Sequence, residues 1–260
     1  GLKGLTTFRP NNELGSVIIV DDGKEVAQKT APLMDESDPD RRVRLQQLPS
    51  TVMGSMRWLD RPHMPAGNDS YTYMVENSQG DFAVMVGHYV NGVTHPFEVW
   101  ISGAAAPRGL GAVAKTLSAD MRTYDRGWLE LKLQALRKCS GETVEVAMPP
   151  TGQIQMVPSV VSAFAQIVHY HAEKVGWLNS EGDTSLVDAM MFRKEPKAGP
   201  DGTLSWSVSV KNPATGDDFE LFVKELDLPD GSHRPYSVWM AGEFPAAYNG
   251  LCKLLSFDMR

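Results

Sequence analysis

Apolar and polar positions alternate over Ser70–Val75, again over Asp81–Val86, and again over Phe97–Ile101. A period of two over short runs predicts half-buried strands. Asn91-Gly92 is a hairpin turn ahead of the third run. The period then changes. Leu110, Val113, Leu117 and Met121 recur at helical spacing, so a helix is predicted over 110–123 with those four on one arc. A second helix, 125–138, carries Trp128, Leu129, Leu131, Leu133 and Leu136. Residues 142–155 read as a loop. Pro158 and Ser159 open a strong helix whose apolar face is Val160, Val161, Phe164, Ile167 and Val168, ending near Gly176. A shorter helix is predicted over 185–192, then a turn region over 196–202.

The same order recurs from Leu204. Ser205–Asn212 resembles Ser70–Asn77, and Asp218–Val223 resembles Asp81–Val86. His95–Gly103 has its counterpart in Arg234–Gly242, and Lys115–Arg122 in Lys253–Arg260. The offset is 139 residues at Trp100 and Trp239 and 138 at Ser118 and Ser256. Two copies make a pseudo-symmetric pair rather than a solenoid. The expected fold class is α+β: two such units, each an antiparallel sheet of about three strands followed by a helix, with intervening helices. Trp100 and Trp239 should then be equivalent, as should Leu117 and Leu255. The expected divisions are an entry piece over 1–20 with a strand at Val17–Val20, a linker and lead-in over 21–68, a first unit over 69–139, a helical connection over 140–203, and a second unit over 204–260 that continues past its last residue.

Composition narrows the function classes. The 260 residues carry a net charge of −7, so the surface as a whole is not built for nucleic acid or anionic membrane. No apolar run has the length of a membrane span. Residues 21–49 are dense in charge and proline, with an acidic stretch over 35–40 followed by Arg41, Arg42 and Arg44, and read as a solvated linker. Cys139 and Cys252 stand far apart outside any CxxC context. That points to a reducing, cytoplasmic compartment and to buried structural thiols. His169 and His171, two apart on a helix, diverge by about 200° and cannot share a metal. No Gly-x-Ser-x-Gly elbow marks a nucleophile.

The chemistry that does repeat is a helix face. Lys115, Ser118 and Arg122 share one side, and Lys253, Ser256 and Arg260 repeat the set. Arg108 precedes the first helix within a Gly- and Pro-containing loop. A helix start flanked by cations can hold an anion. The alternative is structural, with each cation meeting a carboxylate (Glu98, Asp120, Asp125 and Asp258 being nearest in sequence) and each serine bonding backbone.

Lys3-Gly4-Leu5-Thr6-Thr7-Phe8-Arg9-Pro10 resembles the segment that closes the catalytic region of adenosylcobalamin-dependent (class II) ribonucleotide reductases. The stretches 95–122 and 234–260, with Pro158-Ser159-Val160-Val161 and 212–219 between them, are similar to the C-terminal extension of the bacterial members, which contains TSCPD-type modules. The motif that names that module is missing here. The resemblance implies a role in DNA precursor synthesis and adenosylcobalamin for the whole enzyme. It implies no cofactor or catalytic residue in this region, because the radical cysteines and cobalamin site of the family fall before Gly1. The redox CxxC tail of many members has no match either.

Three readings follow. The chain is an accessory region that docks with, assembles or regulates the catalytic domain of the same reductase and is inactive alone. Or it is a pseudo-symmetric nucleotide- or anion-binding module using Arg108 and the two Lys-x-x-Ser-x-x-x-Arg faces. Or it is a free-standing enzyme with a cleft between its units, which lacks support from any catalytic constellation. Neither nucleic acid nor membrane is an expected partner, and the oligomeric state stays open.

Overall fold

A computed structural model describes residues 33–34, 37, 39–49, 56–178 and 185–260. The entry segment over 1–20, with its expected strand at Val17–Val20, lies outside the described residues. The elements in chain order are β1 (Leu33–Met34), β2 (Val43–Arg44), β3 (Ser70–Val75), β4 (Phe82–Asn91), β5 (Val93–Ser102), α1 (Leu110–Asp120), α2 (Arg126–Arg137), β6 (Val144–Met148), β7 (Gln153–Val157), α3 (Val160–Lys174), α4 (Ser185–Ala189), β8 (Ser205–Asn212), β9 (Asp217–Asp227), β10 (His233–Glu243) and α5 (Tyr248–Met259). The fold is α+β. No helix among the described residues is long and apolar enough to cross a membrane.

The two repeats agree in detail. β3-β4-β5 and β8-β9-β10 are antiparallel meanders, each followed by a helix on its third strand. In the first, Tyr71, Val86 and Val99 stand side by side; in the second, Trp206, Val223 and Val238 do. Both third strands carry a bulge. Pairing skips Phe97 in β5 and Tyr236 in β10, and both rings are fully buried. Trp100 and Trp239 sit three residues on, each 53% exposed. Gly103 and Gly242 end these strands at φ of 135° and 121°. Side chains there would press on the backbone near the start of β4 and β9: a Cβ on Gly103 meets Phe82 Cα at 3.0 Å, and one on Gly242 meets Phe219 Cα at 2.9 Å.

The repeats differ in what covers them. On the first sheet, Val75, Phe82, Val84, Val86 and Val99 are buried beneath α1 and α3 in one core that also takes in Leu133, Leu136, Phe164 and Val168. Each large apolar side chain sealed this way contributes about 1.5–3 kcal/mol. The equivalent face of the second sheet carries Trp206, Val208, Val210, Phe219, Leu221 and Val223. Here α5 lies over β10, Trp206 is 60% exposed, and Val208 is 54% exposed. The helix α5 turns its other side to the first repeat. Leu254 and Ala247 join the main core, and Gly250 lets α5 approach Val161, Leu136 and Val113. Leu255, the counterpart of buried Leu117, is therefore only half-buried.

Two stretches differ from the sequence reading. Residues 144–157 form a hairpin, β6–β7, rather than a loop. Part of the expected linker is built into the second sheet: β2 pairs in parallel with β9 and buries Val43. Arg41 meets Asp201, while Arg42 and Arg44 meet Asp227.

Candidate functional site

The repeated serines are committed to the fold. Ser118 Oγ accepts the Val99 N–H at 2.9 Å and faces the Ala114 carbonyl at 2.8 Å. Ser256 Oγ accepts the Val238 N–H at 3.0 Å. Each hydroxyl ties its helix to the third strand of its sheet by giving a backbone N–H of that strand an acceptor. Arg108 is likewise occupied. It donates two bonds, 2.7 and 2.6 Å, to Asp217 at the start of β9, and this bidentate pair holds the Asp217 carboxyl below its ordinary range. Lys115 is exposed, and Lys253 is half-buried. Arg122 lies beyond the end of α1, and its Nε is buried without a hydrogen-bond partner among the described residues. Arg260 Nε donates to the Ser256 carbonyl at 2.8 Å, and its guanidinium lies 4.5 Å over the Phe257 ring. Lys253, Ser256 and Arg260 of the second face line one cleft, whereas Arg108 is committed to Asp217.

The carboxylates nearest to those cations in sequence serve other groups. Glu98 accepts from Arg61 Nε at 2.7 Å and from its Nη2 at 3.1 Å. Asp125 caps α2 through the Trp128 N–H and receives the Leu186 and Val187 N–H groups of α4. Asp120 and Asp258 both bind Lys132, a residue that the reading of repeat faces leaves out. The Lys132 Nζ is fully buried, 2.6 Å from Asp120 Oδ1, and also in contact with Asp258 Oδ1. Trp128 Nε1 donates to the same Asp120 Oδ1 at 3.0 Å, and the ammonium sits 4.6 Å from the Trp128 ring centre. The signal was present: Lys132 falls four residues after Trp128 and four before Leu136, inside the apolar stripe of α2. A lysine there needs an anionic partner.

This junction floors a cleft of about 630 Å³ between α1, α4 and α5, lined also by Arg234 of β10. Asp120 lines it and is 6% exposed, and its Oδ2 has no hydrogen-bond partner among the described residues. Burial pushes its carboxyl up to about 6, against the pull of Lys132; the Asp258 charge adds to the rise.

A second polar cluster lies under the first sheet. Tyr73 Oη is 2.7 Å from His171 Nδ1, and His171 Nε2 meets His88 Nε2 with the two rings stacked at 4.6 Å. Burial holds His171 down to about 4, helped by His88 and Lys174, and lowers His88 as well. His169 faces elsewhere, toward Glu130 and Glu173. Sequence spacing kept His169 and His171 apart but could not bring His88 and His171 together. Among the described residues, no group of three His, Cys, Asp or Glu side chains is arranged to hold a metal. Cys139 and Cys252 line one cleft of about 420 Å³; burial raises both thiols, Cys252 to about 11.

No family model, curated protein or solved structure matches this chain.

Proposed function

We propose that this chain is a non-catalytic accessory region of an adenosylcobalamin-dependent ribonucleotide reductase, and that its second sheet docks against another part of the same reductase. The sequence resemblance supplies the enzyme. The observation that carries the docking role is the uncovered face of the second sheet. Its first-repeat counterpart is sealed by α3, whereas Trp206 and Val208 stand more than half exposed on a face continuous with Val210, Leu221 and Val223. A contiguous apolar face of this kind marks an interaction surface. The thiols fit a non-catalytic role in disulfide exchange, since raised pKa values keep Cys139 and Cys252 protonated and poorly nucleophilic. The radical chemistry and the cobalamin belong, in this reading, to the catalytic region.

Hydrogen exchange on the chain, alone and mixed with the catalytic region of such a reductase, tests the proposal. Protection is expected across β8 and β9, and Trp206→Glu with Val208→Glu should remove it. Incubation of the chain alone with adenosylcobalamin, a thiol reductant and a ribonucleotide should yield no deoxyribonucleotide. Product formation, or protection confined to other elements, would overturn the reading.

A further inference from the structure

We infer that the cleft between the end of α2, β10 and α5 binds one copper(I) ion through the sulfur atoms of Cys139, Met240 and Cys252. The chain has two cysteines, far apart in sequence, and both line this one cleft of about 420 Å³ together with Met240. The fold explains the meeting. Cys139 follows the last turn of α2 and its N–H bonds back to the Leu136 carbonyl at 2.8 Å. Cys252 stands one helical turn before Ser256 on α5, so the two share a side. Ser256 Oγ accepts the Val238 N–H of β10 at 3.0 Å, which fixes that side toward β10. Met240, two residues after Val238, lies on the same face of the strand as Val238. The corresponding positions of the first repeat are Ala114 and Ile101, which pack in and against the main core and hold no sulfur.

The donor set selects the ion. Thiolates and thioethers favour soft copper(I). Zinc takes four ligands, and no His, Cys, Asp or Glu group of three is arranged for a metal among the described residues. Glu195, which also lines the cleft, is held by Lys224 Nζ at 2.7 Å. Binding breaks two S–H bonds and releases two protons to solvent. Two thiolate–copper bonds and one thioether–copper bond form, and the copper keeps its oxidation state. Two thiolates around one monovalent ion leave a single negative charge, and Lys253 and Arg260 line the same cleft to offset it. Burial raises both thiols; Cys139 adds to the rise at Cys252, and Lys253 draws Cys139 back, so these groups are electrostatic neighbours. The inference stands apart from the docking reading, because it uses none of the second sheet's apolar face.

Anaerobic titration of the whole chain with copper(I) against a colorimetric copper(I) chelator tests the proposal. One ion per chain is expected, with the ultraviolet absorption of thiolate-to-copper charge transfer and a raised melting temperature. Cys252→Ser should weaken binding by at least about a hundredfold, and Met240→Leu, which keeps the bulk, by at least about tenfold. Lys253→Gln, which removes only the countercharge, should cost about tenfold. Added zinc should not displace the copper. Failure to compete with the chelator, binding without the thiolate absorption, or full affinity in Cys252→Ser or Met240→Leu would each overturn the proposal.

Discussion

Asp120 and Asp258 hold the same place in the two repeats, and both meet the ammonium of Lys132. Each opens an Asp-Met-Arg triplet at the end of its helix. One buried lysine from α2, which is outside the repeated stretch, thus joins the ends of both copies.

Lys132→Met leaves two carboxylates facing one another with their cation gone. Breaking a buried pair in this way costs ~3–5 kcal/mol. Urea unfolding should show a loss of that size. Adding Asp120→Asn and Asp258→Asn to Lys132→Met should restore a large part of it, because no buried charge then remains uncompensated. If the single substitution leaves the midpoint unmoved, the junction carries no stability.

Ser118→Ala should lower stability by ~1–3 kcal/mol, since the Val99 N–H loses its acceptor in a dry setting. Ser256→Ala should act in the same direction through the Val238 N–H. Neither substitution should change phosphate affinity measured by calorimetry. A loss of phosphate binding with unchanged melting would instead restore the anion-binding role for these faces.

Gly242→Ala should be the more damaging of the two strand-end glycine substitutions. Its Cβ would stand 2.5 Å from the Asp218 carbonyl oxygen, whereas the closest approach at Gly103 is 3.0 Å. Both positions also require positive φ. The expected penalty is ~1–3 kcal/mol for backbone strain, with the steric term added at Gly242. Thermal melts of the two variants side by side give the order directly.

Stability should fall as the pH drops from about 6.5 toward 4. His95 and His171 are both held near 4 by burial, against an ordinary 6.5, and His88 is lowered too. In this window the unfolded chain takes up protons that the folded one refuses, so acid favours unfolding. Asp120 works the other way. Its carboxyl is raised from 3.8 to about 6, so its contribution is fully present below 3.8 and is lost as pH rises through 6. Three histidines outweigh one carboxyl. His95→Gln, which can keep a donor toward the Met121 carbonyl, should flatten the profile of melting temperature against pH. An unchanged slope would show that His95 titrates normally.

Cys252, raised to about 11, is only ~0.1% thiolate at pH 8, and Cys139 is also raised. A disulfide-exchange reagent should therefore label the native chain many times more slowly than the chain in guanidinium, where two thiols should react promptly. Stopped-flow absorbance of the released thiolate makes the comparison.

The repeats were legible because their strands alternate cleanly and their helices keep one apolar arc. Leu110, Val113, Leu117 and Met121 are all buried. The β6–β7 hairpin was not legible. Val144, Val146 and Met148 do alternate inward, but on β7 the apolar residues Ile154 and Met156 point to solvent, so the second strand carries no consistent pattern. The short strand β2 was hidden by its charged neighbours, because two residues are too few for a period. At the candidate site the repeat flagged Arg260 and the helix faces, and Lys132 could be inferred from its place on an apolar stripe. The pairing of His88 with His171 across 83 residues depends on how α3 lies on the first sheet, which no local pattern records.

Gly250 and Leu254 belong by sequence to the second repeat, yet they pack into the interior of the first. The border between the copies is therefore a border of sequence pattern and not of cooperativity. A chain cut at residue 203 would keep every strand of its first sheet but expose the hollow that α5 fills, around Val113, Leu136 and Val161. Such a half should melt broadly and bind hydrophobic dye, whereas residues 31–260 should unfold in one calorimetric transition. Two parts alike in strand order and pairing thus make a single thermodynamic object, in which neither can be removed without unmaking the other.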